Sequence, residues 1–224
     1  MSTTTPARTD HALQTAVQSE LDWTPEVDAA GLGVAVDDGV VTLSGEVTGF
    51  AERAAAKRAA ERVQGVTAVV DDMTTHPTGA TWIRSDVDIA KGVQVALELP
   101  VTVPSTVKAE VREGVVTLTG TVQWNYQRAA ARRAIEHIPG VSFIDNRLTL
   151  TPRASSAQTA QHIKAALVRN ASVDADHIKV ATEGTRVTLT GTVKSWAEKY
   201  QAGYAAWCSP HVTDVDNLIT VSGS

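Results

Sequence analysis

Several things are scarce in this chain of 224 residues, and each scarcity excludes something. The single cysteine, Cys208, cannot close an intrachain disulfide. Aromatic residues make up only 4% of the chain, so a core built on a few large rings is not expected. No run of apolar residues approaches the length of about 20 needed to span a bilayer. The polar, Thr-rich start lacks the apolar stretch of about 7–15 residues of a secretory signal, which points to a cytoplasmic chain, or to a periplasmic one if a signal has been removed. The net charge of −5 is mild, so the chain as a whole is not expected to bind nucleic acid. No G-x-G-x-x-G or P-loop pattern opens a helix. The six histidines are scattered without zinc spacing, and Cys208 lacks a nucleophile signature. Neither a cofactor nor a catalytic constellation is expected, and the chain reads as a non-enzymatic binding protein.

What is present is 43% hydrophobic and 20% charged, rich in alanine and valine, and repeated. Asp38-Gly-Val-Val-Thr-Leu-Ser-Gly-Glu-Val47 returns as Glu113-Gly-Val-Val-Thr-Leu-Thr-Gly-Thr-Val122, and then as Gly184-Thr-Arg-Val-Thr-Leu-Thr-Gly-Thr-Val193. Gly65-Val66, Gly140-Val141 and His211-Val212 follow in step. So do the pairs Asp71-Asp72, Asp145-Asn146 and Asp216-Asn217. Three units are expected, at 9–75, 84–152 and 156–222, joined by short linkers at 76–81 and 151–156.

Periodicity changes in the same order within each unit. Leu13, Val17 and Leu21 step by four, as do Ile89, Val93 and Leu97, and Ile163 with Leu167, which predicts a first helix. Alternation at Val34/Val36 and Val107/Ala109/Val111 predicts a first strand. In the second strand Val41, Leu43 and Val47 point inward, while Val40 and its counterpart Arg186 point outward. Asp38-Gly39 suits a type I′ hairpin, Glu113-Gly114 suits it less well, and Gly184-Thr185 suits II′.

A second helix over about 51–64 gathers Ala55, Ala56, Ala59, Ala60 and Val63 on one face, with Arg53, Lys57, Arg58, Glu61 and Arg62 opposite. Ser195-x-x-Glu198 predicts a capping box for its third copy. Last strands are expected over Val66–Met73, Val141–Leu150 and Val212–Val221. The fold class is therefore α+β: three tandem small domains, each helix–strand–strand–helix–strand, with two helices on one face of a three-stranded mixed sheet.

The element order, the hydrophobic-Thr-Leu-[Ser/Thr]-Gly-x-Val strand and the Gly-Val…Asp-Asn ending resemble the BON domain of bacterial osmotically inducible and nodulation proteins. The resemblance covers nearly the whole chain. It implies a module linked to osmotic or envelope stress, to anionic phospholipid surfaces and to larger transport proteins. A cytoplasmic relative that binds potassium pairs one BON domain with a LysM domain, and no LysM-like segment is evident here.

The candidate sites follow from the divergence between copies. Gly45, Gly120 and Gly191 fall on an inward strand face, where the thin alanine-rich helix is the expected close neighbour, and a structural role is preferred. Arg53/Lys57/Arg58/Arg62 recurs as Arg128/Arg132/Arg133/His137, but as Lys199/Gly203/Tyr204/Cys208 in the third copy. Such a stripe is most often a solvated helix face. If it binds, the target is anionic. Residues 10–75 carry twelve acidic and four basic side chains, whereas 84–152 carry seven acidic and eight basic. The expected anionic-surface residues are therefore Arg128, Arg132 and Arg133 with Trp124.

Phe50, Trp124, Tyr126 and Trp196 gather where strand meets helix, as membrane-dipping groups or, preferably, as glue between repeats. Trp207 falls on the outer helix face. Three readings stay open: docking on an anionic membrane or acidic protein surface, a small-ligand or potassium sensor using the acidic first copy, and a structural adaptor for a protein partner.

Overall fold

A computed structural model describes residues 10–75, 85–152, 158–170 and 175–222. The 76–81 linker and most of the 151–156 linker lie outside the described residues. The chain divides into two compact units, Met1–Gly45 with Ala55–Met73 and Pro152–Ser224, and Glu46–Ala54 with Thr74–Thr151.

The first repeat runs α1 (Asp10–Asp22), β1 (Leu32–Asp37), β2 (Val40–Val47), α2 (Phe50–Arg62) and β3 (Ala68–Thr75). The second runs α3 (Asp86–Glu98), β4 (Lys108–Arg112), β5 (Val115–Thr119), β6 (Thr121–Val122), α4 (Asn125–Ile135), β7 (Phe143–Asn146) and β8 (Thr149–Leu150). The third runs α5 (Thr159–Arg169), β9 (Ile178–Glu183), β10 (Arg186–Val193), α6 (Trp196–Trp207) and β11 (Asp214–Val221). The fold is α+β, with small three-stranded sheets in which the second strand of each repeat is central. β10 pairs antiparallel with β9 and parallel with β11, and β5 pairs in the same two senses with β4 and β7. The parallel crossover is the second helix, which must lie on a sheet face.

The third repeat shows how its core closes. Ile163 and Leu167 of α5 meet Ala202 and Ala206 of α6 over Val187, Leu189 and Val193 of β10. Both helices therefore cover one face. In the first repeat Val41, Leu43 and Val47 are buried, as are Ala55, Ala56, Ala59 and Ala60. Outward Arg186 pairs with Asp214 at 2.8 Å. Trp207 packs half-buried against its own repeat's core rather than standing on an outer face.

The hairpin turns have a device that periodicity does not show. Asp38 and Gly39 have φ +52° and +79°, and Glu113 and Gly114 have +52° and +76°, so both turns have the positive φ pair that type I′ requires. A left-handed glutamate is unfavourable by itself. The Asp86 carboxylate compensates, accepting from the N–H groups of Glu113 at 2.8 Å and Gly114 at 3.0 Å. Asp10 does the same for Asp38 and Gly39 at 3.2 and 3.3 Å.

The three strand glycines have a different neighbour from the one expected. A Cβ on Gly45, Gly120 or Gly191 would strike the carbonyl oxygen of Gly31, Thr106 or His177 respectively, not the alanine-rich helix. Their φ values of +116°, +123° and +135° also disfavour any L side chain. At Gly120 the strand is interrupted, giving β5 and β6.

The last strands begin later than the hydrophobic run suggests, at Ala68, Phe143 and Asp214. Val66, Val141 and Val212 are buried in the approach to them. The acidic landmark also shifts by one residue. Asp71, Asn146 and Asn217 are the equivalent residues, each accepting from the N–H two residues on.

Candidate functional site

The basic face of the middle repeat rides on α4, and its N-terminus is fixed locally. Gln127 Oε1 accepts from the N–H groups of Gln123 at 2.9 Å and Trp124 at 3.0 Å. The other repeats use the same reach of four residues, from Glu52 to the Thr48 N–H and from Glu198 to the Lys194 N–H. In the third, Ser195 Oγ also accepts from the Glu198 N–H, the expected half of a capping box. The helix is held to the last strand by Asn146, whose Nδ2 donates to the Arg128 carbonyl at 3.2 Å.

The expected binding residues are not equivalent. Arg133 is exposed, while Arg128, Arg132 and Trp124 are half-buried. Arg132 lies over the Phe50 ring, 5.4 Å from its centroid, within cation–π range. Phe50 is buried, stands edge-on to Phe143 at 6.2 Å, and donates its N–H to the Val141 carbonyl at 3.0 Å. Phe50 therefore ties residues 46–54 to the middle repeat inside one compact unit. His137, last of the stripe, lies 3.6 Å from the Glu136 carboxylate and is largely exposed.

The first stripe is partly committed elsewhere. Arg62 Nε meets Glu20 Oε1 at 2.8 Å, and its Nη2 donates to Thr24 Oγ1 at 3.0 Å, stapling α2 to α1. Glu61, expected among the solvated residues, is only 6% exposed and accepts from the Tyr200 hydroxyl at 2.7 Å. In the third repeat Lys199 lies 4.9 Å over the Trp196 ring, and Trp196 leans on Tyr200. The Cys208 thiol, hydrogen bonded to Tyr204, pushes that exposed phenol's pKa above its ordinary value. Tyr126 is exposed.

Among the described residues no group of three His, Cys, Asp or Glu side chains is placed to hold a metal ion. No described helix is long and apolar enough to cross a membrane.

The hairpin, its glycine strand and the last strand beside it thus recur in three copies, and the family comparison matches all three. The BON domain family matches residues 9–77, 85–152 and 155–223. The chain belongs to the BON domain family. A BON relative, osmotically-inducible protein Y of Escherichia coli strain K12, is 30% identical over 143 residues, which are 62% of this chain and 71% of that protein. Solved structures of CdsD, a structural protein of the type III secretion system of Chlamydia trachomatis, were also matched. Its C-terminal domain aligns over 93% of this chain and 96% of that one, at 14% identity. The TM-score is 0.26, too low to carry any argument about this BON chain.

Proposed function

We propose that this BON protein is a stress-associated, non-enzymatic docking protein that uses the α4 face of its middle repeat to engage anionic phospholipid surfaces. The observation that carries this reading is the exposed guanidinium of Arg133 beside Arg132, which Phe50 holds in place. Arg128 completes one basic face on a repeat that lacks the strong acidity of the first. Trp124, at the start of α4, adds an indole suited to the headgroup boundary. The relative's name, osmotically-inducible protein Y, supports the stress association.

At about 1 kcal/mol per basic residue near an anionic surface, three arginines give weak and reversible association. Because the Debye length is about 8 Å at physiological ionic strength, that association weakens as salt rises. Sedimentation with anionic and with neutral vesicles at two salt concentrations tests it. Binding confined to anionic vesicles, reduced by salt and by Arg133→Glu, is expected. Equal, negligible binding to both vesicle types would rule it out.

A further inference from the structure

The middle repeat carries a groove of about 520 Å³ between α3 and the edge strand β4, walled by Ala90, Leu97, Val103, Val107, Ala109 and Val111. Its openness comes from particular residues. In the first repeat Gln14 of α1 reaches across and donates to the Val34 carbonyl of β1 at 2.7 Å. Ala90 stands as far beyond Asp86 as Gln14 stands beyond Asp10, and has no amide to make that bridge. Val34, Ala109 and Val180 are equivalent, opposite Leu43, Leu118 and Leu189. Val180 is buried, whereas Ala109 is exposed. Among the described residues, two alanines thus leave the groove open, and no further strand pairs with the outer edge of β4.

An uncovered edge is a template for another strand, and the sequence of this one is complementary to itself. With two copies antiparallel and Ala109 opposite Ala109, Lys108 falls opposite Glu110 twice and Val107 falls opposite Val111 twice. Lys108 and Glu110 are exposed, so both charge pairs can form at the surface. A two-fold interface requires such self-complementarity. Register one residue further along sets Lys108 against Arg112 and Glu110 against itself, which like-charge repulsion disfavours.

We infer that β4 is a self-association edge, which pairs antiparallel about Ala109 with β4 of a second copy of this chain. Each copy brings its valines and its groove wall to the seam. A five-residue strand buries little by itself, so the dimer is weak and concentration-dependent.

Sedimentation velocity on the full chain over about a hundredfold concentration range should show a monomer–dimer equilibrium. Glu110→Lys or Lys108→Glu alone turns both attractive pairs repulsive and should weaken association about tenfold or more. The double exchange Lys108→Glu/Glu110→Lys should restore it, with melting curves confirming that every variant folds. Independently, Ala109→Cys in a Cys208→Ser background should give a disulfide-linked dimer on oxidation, because directly opposed antiparallel residues lie within disulfide reach. A chain that stays monomeric throughout would overturn the inference. So would a dimer indifferent to the single reversals, or an Ala109→Cys chain that forms no cross-link.

Discussion

The Tyr200 hydroxyl donates to the Glu61 carboxylate at 2.7 Å, across 139 residues of sequence and between the second helices of the first and third repeats. Both residues lie in the same compact unit, and Glu61 is buried there. A buried carboxylate that loses its donor keeps its desolvation cost. Tyr200→Phe is therefore expected to lower stability by about 1–3 kcal/mol in chemical denaturation. Tyr126→Phe, at an exposed ring, should leave the midpoint unchanged.

Gly120 of the middle repeat's strand and Gly184 of the third repeat's hairpin should respond differently to one added methyl group. At Gly120 an alanine meets both a positive φ and the Thr106 carbonyl, so a loss of more than about 2 kcal/mol is expected. At Gly184 φ is +58° and nothing lies within 4 Å of the added Cβ, so the cost should stay near about 1 kcal/mol. Comparing melting of Gly120→Ala with Gly184→Ala separates the carbonyl clash from backbone strain.

Glu113 sits left-handed because Asp86 holds the turn amides. Replacing Glu113 by Asn, which tolerates that conformation better, should stabilise the chain by about 0.5–1 kcal/mol. Asp86→Ala should destabilise it by about 1–2 kcal/mol, since two turn amides lose a charged acceptor. Equilibrium unfolding of the two single variants checks both signs.

Tyr204 offers a pH-dependent test. Its pKa is raised, chiefly by the hydrogen bond with Cys208 and then by that group's charge. Ultraviolet difference titration of the chain against Tyr204→Phe should therefore show this phenol ionising above the ordinary tyrosine range, and Cys208→Ala should bring it back down. The linkage has the matching sign. A folded pKa above the unfolded one contributes stability that is present below the unfolded value and lost as pH rises through the folded value.

Much of the fold was legible because it depends on short-range periodicity. Val41, Leu43 and Val47 alternate and are buried, and the stripes Leu13/Val17/Leu21 and Ile89/Val93/Leu97 lie against their sheets. The turn at Asp38-Gly39 announced itself by residue type. The neighbour of Gly45 did not, because the carbonyl of Gly31 reaches it only through strand pairing. Helical phasing placed Glu61 in solvent, and a tyrosine from another repeat covers it. The Asn146 and Asn217 side chains bridge from the last strand to the Arg128 and Lys199 carbonyls, bonds that no local pattern encodes.

By itself, then, the sequence determined three copies of one hairpin-and-helix unit, since alternation, the four-residue stripe and turn chemistry act over a few residues. Tertiary structure alone decided which charges are available. Arg62 is taken up by Glu20, Arg132 rests on Phe50, Arg133 stays open to solvent, and β4 stands at the edge of its sheet. Availability depends on which surface, distant in sequence, packs against a helix or strand, and no pattern of a few residues encodes that.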